Sequence, residues 1–165
     1  MPEHVNVASE SDVGLRRDLQ NGGNPGRSLT GWGEASMARK RILVVEDNED
    51  NRRILLYRLR KIGDFDIVET SNGEEAVAAV EAKPPDLIFM DLKMPIMDGW
   101  EATRRIRALE VGKSIPIIAL TAQAMAGDEQ KALANGCNDY LAKPVVDPSL
   151  VREKVERLLG VKPNA

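Results

Sequence analysis

"DLIFMDLKMPIMDGW", residues 86 to 100, decides the fold. Leu87 to Met90 form a short, wholly apolar run, the pattern of a strand buried on both faces. The run stops on Asp91. Proline-containing irregular sequence follows, and Asp98 stands as an N-cap before a helix that begins near Gly99. A carboxylate therefore sits where an apolar strand surfaces.

The same alternation extends in both directions. "RILVV" (41 to 45), "DIVET" (66 to 70), "IPIIAL" (115 to 120) and "DYLA" (139 to 142) are further short strands rich in Ile, Val and Leu. Amphipathic stretches at about 49 to 61, 73 to 82, 99 to 109 and 126 to 135 separate them. A last helix fits 148 to 159, with Asp147 as N-cap, Pro148 at its first position and Gly160 just past its end. Ser71 or Asn72 caps the second helix. Five strands alternating with five helices define an α/β fold, a doubly wound parallel sheet covered on both faces. In such sheets the site lies at the carboxyl ends of the strands, where strand order reverses.

Composition sets the boundaries of this pattern. The first 40 of the 165 residues hold six of the thirteen glycines, and "NGGNPGRSLTGWGE" (21 to 34) is a succession of turn-formers. Residues 1–39 are expected to be a disordered extension, 40–160 the domain and 161–165 a tail. Met37 is an alternative natural start. Net charge is −3 with both signs interspersed, which gives no basic footprint for nucleic acid. A single cysteine, Cys137, excludes an internal disulfide. No apolar run approaches the roughly 18 residues of a membrane span, and the amino terminus carries no secretory signal. The expectation is a soluble, cytoplasmic protein.

The strand ends carry the chemistry. The first strand ends on Glu46 and Asp47, the third on Asp91, the fourth on Thr121 and Ala122, and the fifth leads through Tyr140 to Lys143 and Pro144. Taken singly, each has a bland reading as a cap, a turn residue or a solvated charge. Taken together, they are brought to one edge by the sheet rule. Three crowded carboxylates repel and raise one another's pKa. A hard divalent cation such as Mg²⁺ resolves this, because it takes oxygen ligands and keeps several waters. Lys143 and the Thr121 hydroxyl can reach phosphoryl oxygens. The set points to a phosphoryl-handling site in which Asp91 is the nucleophile.

"RILVVEDNEDNRR", "DLIFMDLKMPIMDGWEATRRIR", "IPIIALTAQAM" and "CNDYLAKP" closely resemble the receiver domain of bacterial two-component response regulators. The resemblance runs in order from about Arg41 to Leu159. It implies a flavodoxin-like sheet of order 2-1-3-4-5. It also implies that Asp91 takes a phosphoryl group from a histidine kinase or a histidine phosphotransfer protein. Asp47 would bind Mg²⁺ (or Mn²⁺) directly, Glu46 through water and Lys93 by its backbone carbonyl. Thr121, Lys143 and the Ala122 N–H would hold the phosphoryl oxygens, and Thr121 with Tyr140 would form the switch that alters binding of a downstream protein. Lys143–Pro144 resembles a position that is cis in this family.

Two departures qualify the match. Glu46 stands where Asp is also common, and Val145 follows Pro144 where many DNA-binding regulators carry Phe. Only "GVKPNA" follows Leu159, which resembles stand-alone receivers. A haloacid-dehalogenase-type phosphatase is disfavoured because Lys93, not Asp, stands two residues after Asp91. A P-loop nucleotide-binding protein is disfavoured because no Gly-x-x-x-x-Gly-Lys loop follows the first strand. A receiver that no longer takes phosphate would not need the intact set Asp47, Asp91, Thr121 and Lys143. The alternative within the family is a phosphorelay intermediate or phosphate sink.

Overall fold

Alternation explains the sheet. In β1 (Arg41–Val45) and β3 (Leu87–Asp91) successive side chains point to opposite faces, and both faces are apolar. Ile42, Val44, Leu87 and Phe89 enter one core, while Leu43, Val45, Ile88 and Met90 enter the other. β4 (Ile117–Thr121) divides in the same way, Ile118 and Leu120 to the first core and Ile117 and Ala119 to the second. A sheet apolar on both faces must be covered twice. α1 (Glu49–Ile62) and α5 (Pro148–Leu159) cover one side through Leu55, Leu56, Leu59, Val151 and Val155. α2 (Gly73–Ala82) and α3 (Gly99–Ala108) cover the other through Ala76, Val80, Ala102 and Ile106.

With the edge strands β2 (Asp66–Thr70) and β5 (Asp139–Ala142), all pairs are parallel and the order is β2-β1-β3-β4-β5. A seven-residue α4 (Asp128–Ala134) precedes β5. The computed structural model describes residues 38–122 and 127–162. The expected extension, apart from residues 38 and 39, and the last three tail residues lie outside the described residues. Among the described residues no helix is long and apolar enough to cross a membrane.

The helix starts follow the sequence closely. Asn48, Asn72 and Asp98 each accept a bond from the backbone N–H three residues on, at 3.0, 2.9 and 2.9 Å. Asp147 caps α5 through Ser149 at 2.8 Å. Each such cap contributes about 1 kcal/mol. Gly160 ends α5 at φ 65°, in the left-handed region.

Several boundaries differ from expectation, those at the ends of α1, β4 and α4 by a single residue. β4 begins at Ile117 rather than 115, because Pro116 has no N–H for a ladder and the Ile115 carbonyl is taken by Arg107. α3 ends at Ala108, and a short 3₁₀ turn, Glu110–Gly112, follows. α4 begins at Asp128, after Gly127 at φ 103°; residue 126 lies outside the described residues.

The loop from β3 to α3 is drawn tight. A Cβ on Gly99 would lie 2.0 Å from the Asp91 carbonyl oxygen, so the helix can start this close only on glycine. Within the same loop Ile96 adopts φ 70°. For a β-branched residue this left-handed conformation costs about 1–2 kcal/mol.

Candidate functional site

The register assembles the site. Val45 pairs with Met90, so Glu46, the next residue, lies beside Asp91. Asp91 pairs with Leu120, which puts Thr121 one position beyond, and Thr121 pairs with Ala142, immediately before Lys143. The Lys143 N–H also donates to the Thr121 carbonyl at 2.7 Å. Four strand ends thus deliver their polar groups to one edge, as the sheet rule requires.

Burial then sorts these groups. Glu46 and Asp91 are both 1% exposed, whereas Asp47, Lys93 and Ala122 are exposed. The Lys143 ammonium lies 3.0 Å from Asp91 Oδ1 and 3.2 Å from Glu46 Oε2. The Lys93 N–H donates to Asp91 Oδ1 at 3.2 Å and the Asn48 N–H to Glu46 Oε1 at 3.1 Å. One cation thus faces two buried carboxylates, with a third carboxylate at the surface. Thr121 and Asp91 line a cavity of about 150 Å³, together with Lys93, Trp100, Ala122 and Asp128. Tyr140 is half-buried and packs against the core on the α2–α3 side. The Lys143–Pro144 bond is cis. A wider hollow of about 650 Å³ near the end of α1 is lined by Arg60, Lys61, Asp64 and Glu69. It holds no buried carboxylate.

Protonation reflects the crowding. Burial first, and the Asp91 charge second, raise the Glu46 carboxyl to about 7 against the pull of Lys143. Burial likewise raises Asp91, although the bond and charge of Lys143 oppose it. For Lys143 burial acts downward, but its bonds to Asp91 and the charges of both carboxylates together hold it above its ordinary value.

The donor set fits a hard cation. Glu46, Asp47 and Asp91 each offer one oxygen within 4.8 Å of the others. Asp91 Oδ2 is buried and, among the described residues, has no hydrogen-bond partner. A carboxylate oxygen left without a donor, in an all-oxygen cluster, is what Mg²⁺ or Mn²⁺ satisfies.

A pH dependence follows. A carboxyl whose folded pKa lies above its unfolded value binds protons more tightly when folded, so stability falls as pH rises through that interval. For Glu46 the interval runs from 4.5 to about 7. The metal-free protein is expected to lose on the order of 3 kcal/mol across it. Millimolar Mg²⁺ should restore much of this at pH 8 and little at pH 5, where protons compete for the same oxygens. Urea titrations at the two pH values, with and without Mg²⁺, measure the difference; an equal Mg²⁺ effect at both would remove these carboxylates as ligands.

Two features escaped the sequence reading. Arg107, on α3, donates to the carbonyls of Gly112 and Ile115 at 2.6 Å each, to the Gly136 carbonyl at 2.9 Å and to Asn138 Oδ1 at 2.8 Å. Asp139 is paired with Lys154 at 2.7 Å and with Arg157, which hold its carboxyl below the usual range although burial acts the other way.

The comparisons supply the family. A family model for the response regulator receiver domain matches residues 42–156, and the chain belongs to that family. It is 36% identical over 121 residues to the polar-differentiation response regulator DivK of Brucella anthropi, an alignment covering 73% of this chain and 97% of that one. Against two-component system protein A of Emericella nidulans it is 44% identical over 116 residues, 69% of this chain but only 17% of that protein. Among solved structures, the receiver domain of sensor histidine kinase PA1611 from Pseudomonas aeruginosa has a magnesium ion coordinated in its active-site cleft. That structure superposes with a TM-score of 0.68 at 41% identity, covering 75% of this chain and all of that one. The receiver domain of Ssk1, crystallised with the histidine phosphotransfer protein Ypd1 of Saccharomyces cerevisiae, gives 0.66 at 37% identity, covering 73% and 89%.

Proposed function

We propose that Asp91 accepts a phosphoryl group from a histidine of a kinase or phosphotransfer protein, and that the modified domain changes its affinity for a downstream protein. The observation that carries this is the pair of buried carboxylates, Glu46 and Asp91, both within 3.2 Å of the Lys143 ammonium. An Asp91 oxygen attacks phosphorus, the P–N bond breaks, and the electron pair stays on the imidazole nitrogen, which takes up a proton. Bound Mg²⁺ or Mn²⁺ would offset the negative charge that gathers on the phosphoryl oxygens. Asp47, Asp91 and the Lys93 carbonyl would hold it directly and Glu46 through water. Lys143, the Thr121 hydroxyl and the Ala122 N–H would bind the phosphoryl oxygens. The protein catalyses only its own phosphorylation and dephosphorylation in this reading, and binds no nucleic acid.

The response is a population shift. A phosphoryl group brings dianionic charge and strong acceptors, which draw Thr121 toward Asp91. Tyr140, two residues along from Asn138, then has room to turn inward, and the face of α4, β5 and α5 is reshaped. A near-complete inversion needs a differential of about 5 kcal/mol. A relay that passes the group to another histidine would use the same site, and reverse transfer would distinguish it.

The test uses acetyl phosphate with Mg²⁺, intact-mass analysis, and borohydride reduction to mark the acyl phosphate in a peptide map. One phosphoryl group on the peptide containing Asp91 is expected. A mark at another carboxylate, or none, would overturn the assignment.

A further inference from the structure

Ile96 is the only non-glycine residue with positive φ among the described residues. The backbone on both sides of it is fixed. The Met97 N–H donates to the Pro95 carbonyl at 2.8 Å, the Met97 carbonyl accepts from the Gly73 N–H at 2.9 Å, and the Met97 side chain is buried. The turn is therefore a three-residue γ-turn closed on Ile96, which needs positive φ there; Gly adopts it freely, and Asn with less strain than a β-branched residue. A β-branched residue is among the least suited. Burial gives nothing back, because the Ile96 side chain is 75% exposed, more than any other large exposed hydrophobic in the described residues.

A strained backbone carrying an unburied apolar side chain is understandable where another molecule buries that side chain. Its position says which. Ile96 lies three residues beyond Lys93, whose N–H bonds Asp91. Asp91 is 1% exposed, so a protein that brings a phosphorus atom to it must press down on the surrounding loops. Val146, three residues beyond Lys143, is likewise 66% exposed; it follows a turn centred on the buried Val145, its N–H donating to the Pro144 carbonyl at 2.8 Å. Two exposed apolar β-branched side chains thus stand three residues beyond the two lysines that bond Asp91, Lys93 through its N–H and Lys143 through its ammonium. A downstream protein reading α4, β5 and α5 would not need Ile96.

We propose that Ile96 is an apolar contact for the histidine-bearing protein that delivers the phosphoryl group; this rests on the function proposed above. Wild type, Ile96→Asn and Ile96→Ala separate the possibilities. All three should take phosphate from acetyl phosphate at rates within about twofold, since a small donor needs no docking loop. Ile96→Asn should unfold about 4 °C higher than wild type, as the positive-φ strain is relieved, and Ile96→Ala should show no such gain. Transfer from a phosphorylated histidine phosphotransfer domain should fall about tenfold in kcat/KM for both variants, through KM. The probe is the fastest donor from a panel of such domains that includes Ypd1. Wild-type transfer rates in both variants would overturn the proposal, as would a less stable Ile96→Asn. It would equally fall if no domain in the panel phosphorylated a wild type that responds to acetyl phosphate. A wild type inert to acetyl phosphate would instead overturn the parent reading, and this one with it.

Discussion

Asp91→Asn is expected to take up no phosphoryl group from acetyl phosphate at any Mg²⁺ concentration, and at the same time to make the metal-free protein more stable at pH 8. The first outcome follows from chemistry, since an amide oxygen is too weak a nucleophile to form the acyl phosphate. The second follows from the crowding. Glu46 and Asp91 are buried together against a single ammonium, and burial raises both carboxyls. Removing one charge leaves Lys143 paired with Glu46 alone, and the Asn oxygen can still accept from the Lys93 N–H. The gain should be about 1–2 kcal/mol in urea at pH 8, and should shrink toward pH 5, where Glu46, raised to about 7, is protonated and no longer repels Asp91. Saturating Mg²⁺ should reverse the order, because it stabilises the protein that binds it better. An equal mass gain in both proteins would move the acceptor elsewhere. A less stable Asp91→Asn at every pH would mean that the Asp91–Lys143 pair outweighs the repulsion.

That crowding also explains why the candidate site stands out in the sequence. A carboxylate at the end of "LIFM" violates the pattern of the strand that carries it, and such local violations gather where a fold serves a function. Glu46, Asp91, Thr121 and Lys143 each stand at or just beyond a strand end, and strand ends follow from period-2 alternation alone. What alternation does not reveal is depth. Glu46 and Asp47 are adjacent acids, yet one is 1% exposed and the other lies at the surface. The partners of Glu46 are just as hidden in the sequence: its carboxylate meets Lys143, 97 residues away, and its carbonyl accepts from Arg52 at 2.9 Å. The caps at Asn72, Asp98 and Asp147 were legible because a cap is a contact across two or three residues, although the sequence did not single out Asn48. The start of β4 was not, because it depends on an arginine in another helix. Ile96 was invisible for a related reason: side-chain type says nothing about which loop residue must take the left-handed turn.

Arg107 is the sharpest case, and its replacement should have the largest effect on stability. "RRIR" presents Arg104, Arg105 and Arg107 as one basic cluster on α3, but they do different work. Arg104 and Arg105 both pair with Glu101 at the surface, at 2.7 and 2.9 Å, and exposed pairs of this kind add little. Arg107 is half-buried and, among the described residues, binds only neutral oxygens: three carbonyls and Asn138 Oδ1. Burial lowers its pKa, with no carboxylate to hold it up. The same Asn138 oxygen accepts the Ile117 N–H at 2.9 Å, so the guanidinium ties the loops that open β4 and β5 to each other and to α3. Arg107→Met keeps much of the apolar stem but leaves the three carbonyls without this donor, while Asn138 Oδ1 keeps only the Ile117 N–H. Each unsatisfied group costs about 1–3 kcal/mol and water will rescue some, so a net loss of about 4 kcal/mol is expected. Arg107→Lys should recover only part, because an ammonium cannot fork toward four oxygens. Arg105→Met should leave the urea midpoint where it is. Mg²⁺ affinity should survive in a folded Arg107→Met, since β1 and β3 carry the carboxylates and Arg107 works at the opposite ends of β4 and β5. Equal midpoints for Arg107→Met and Arg105→Met would show that the four bonds contribute nothing beyond what water supplies.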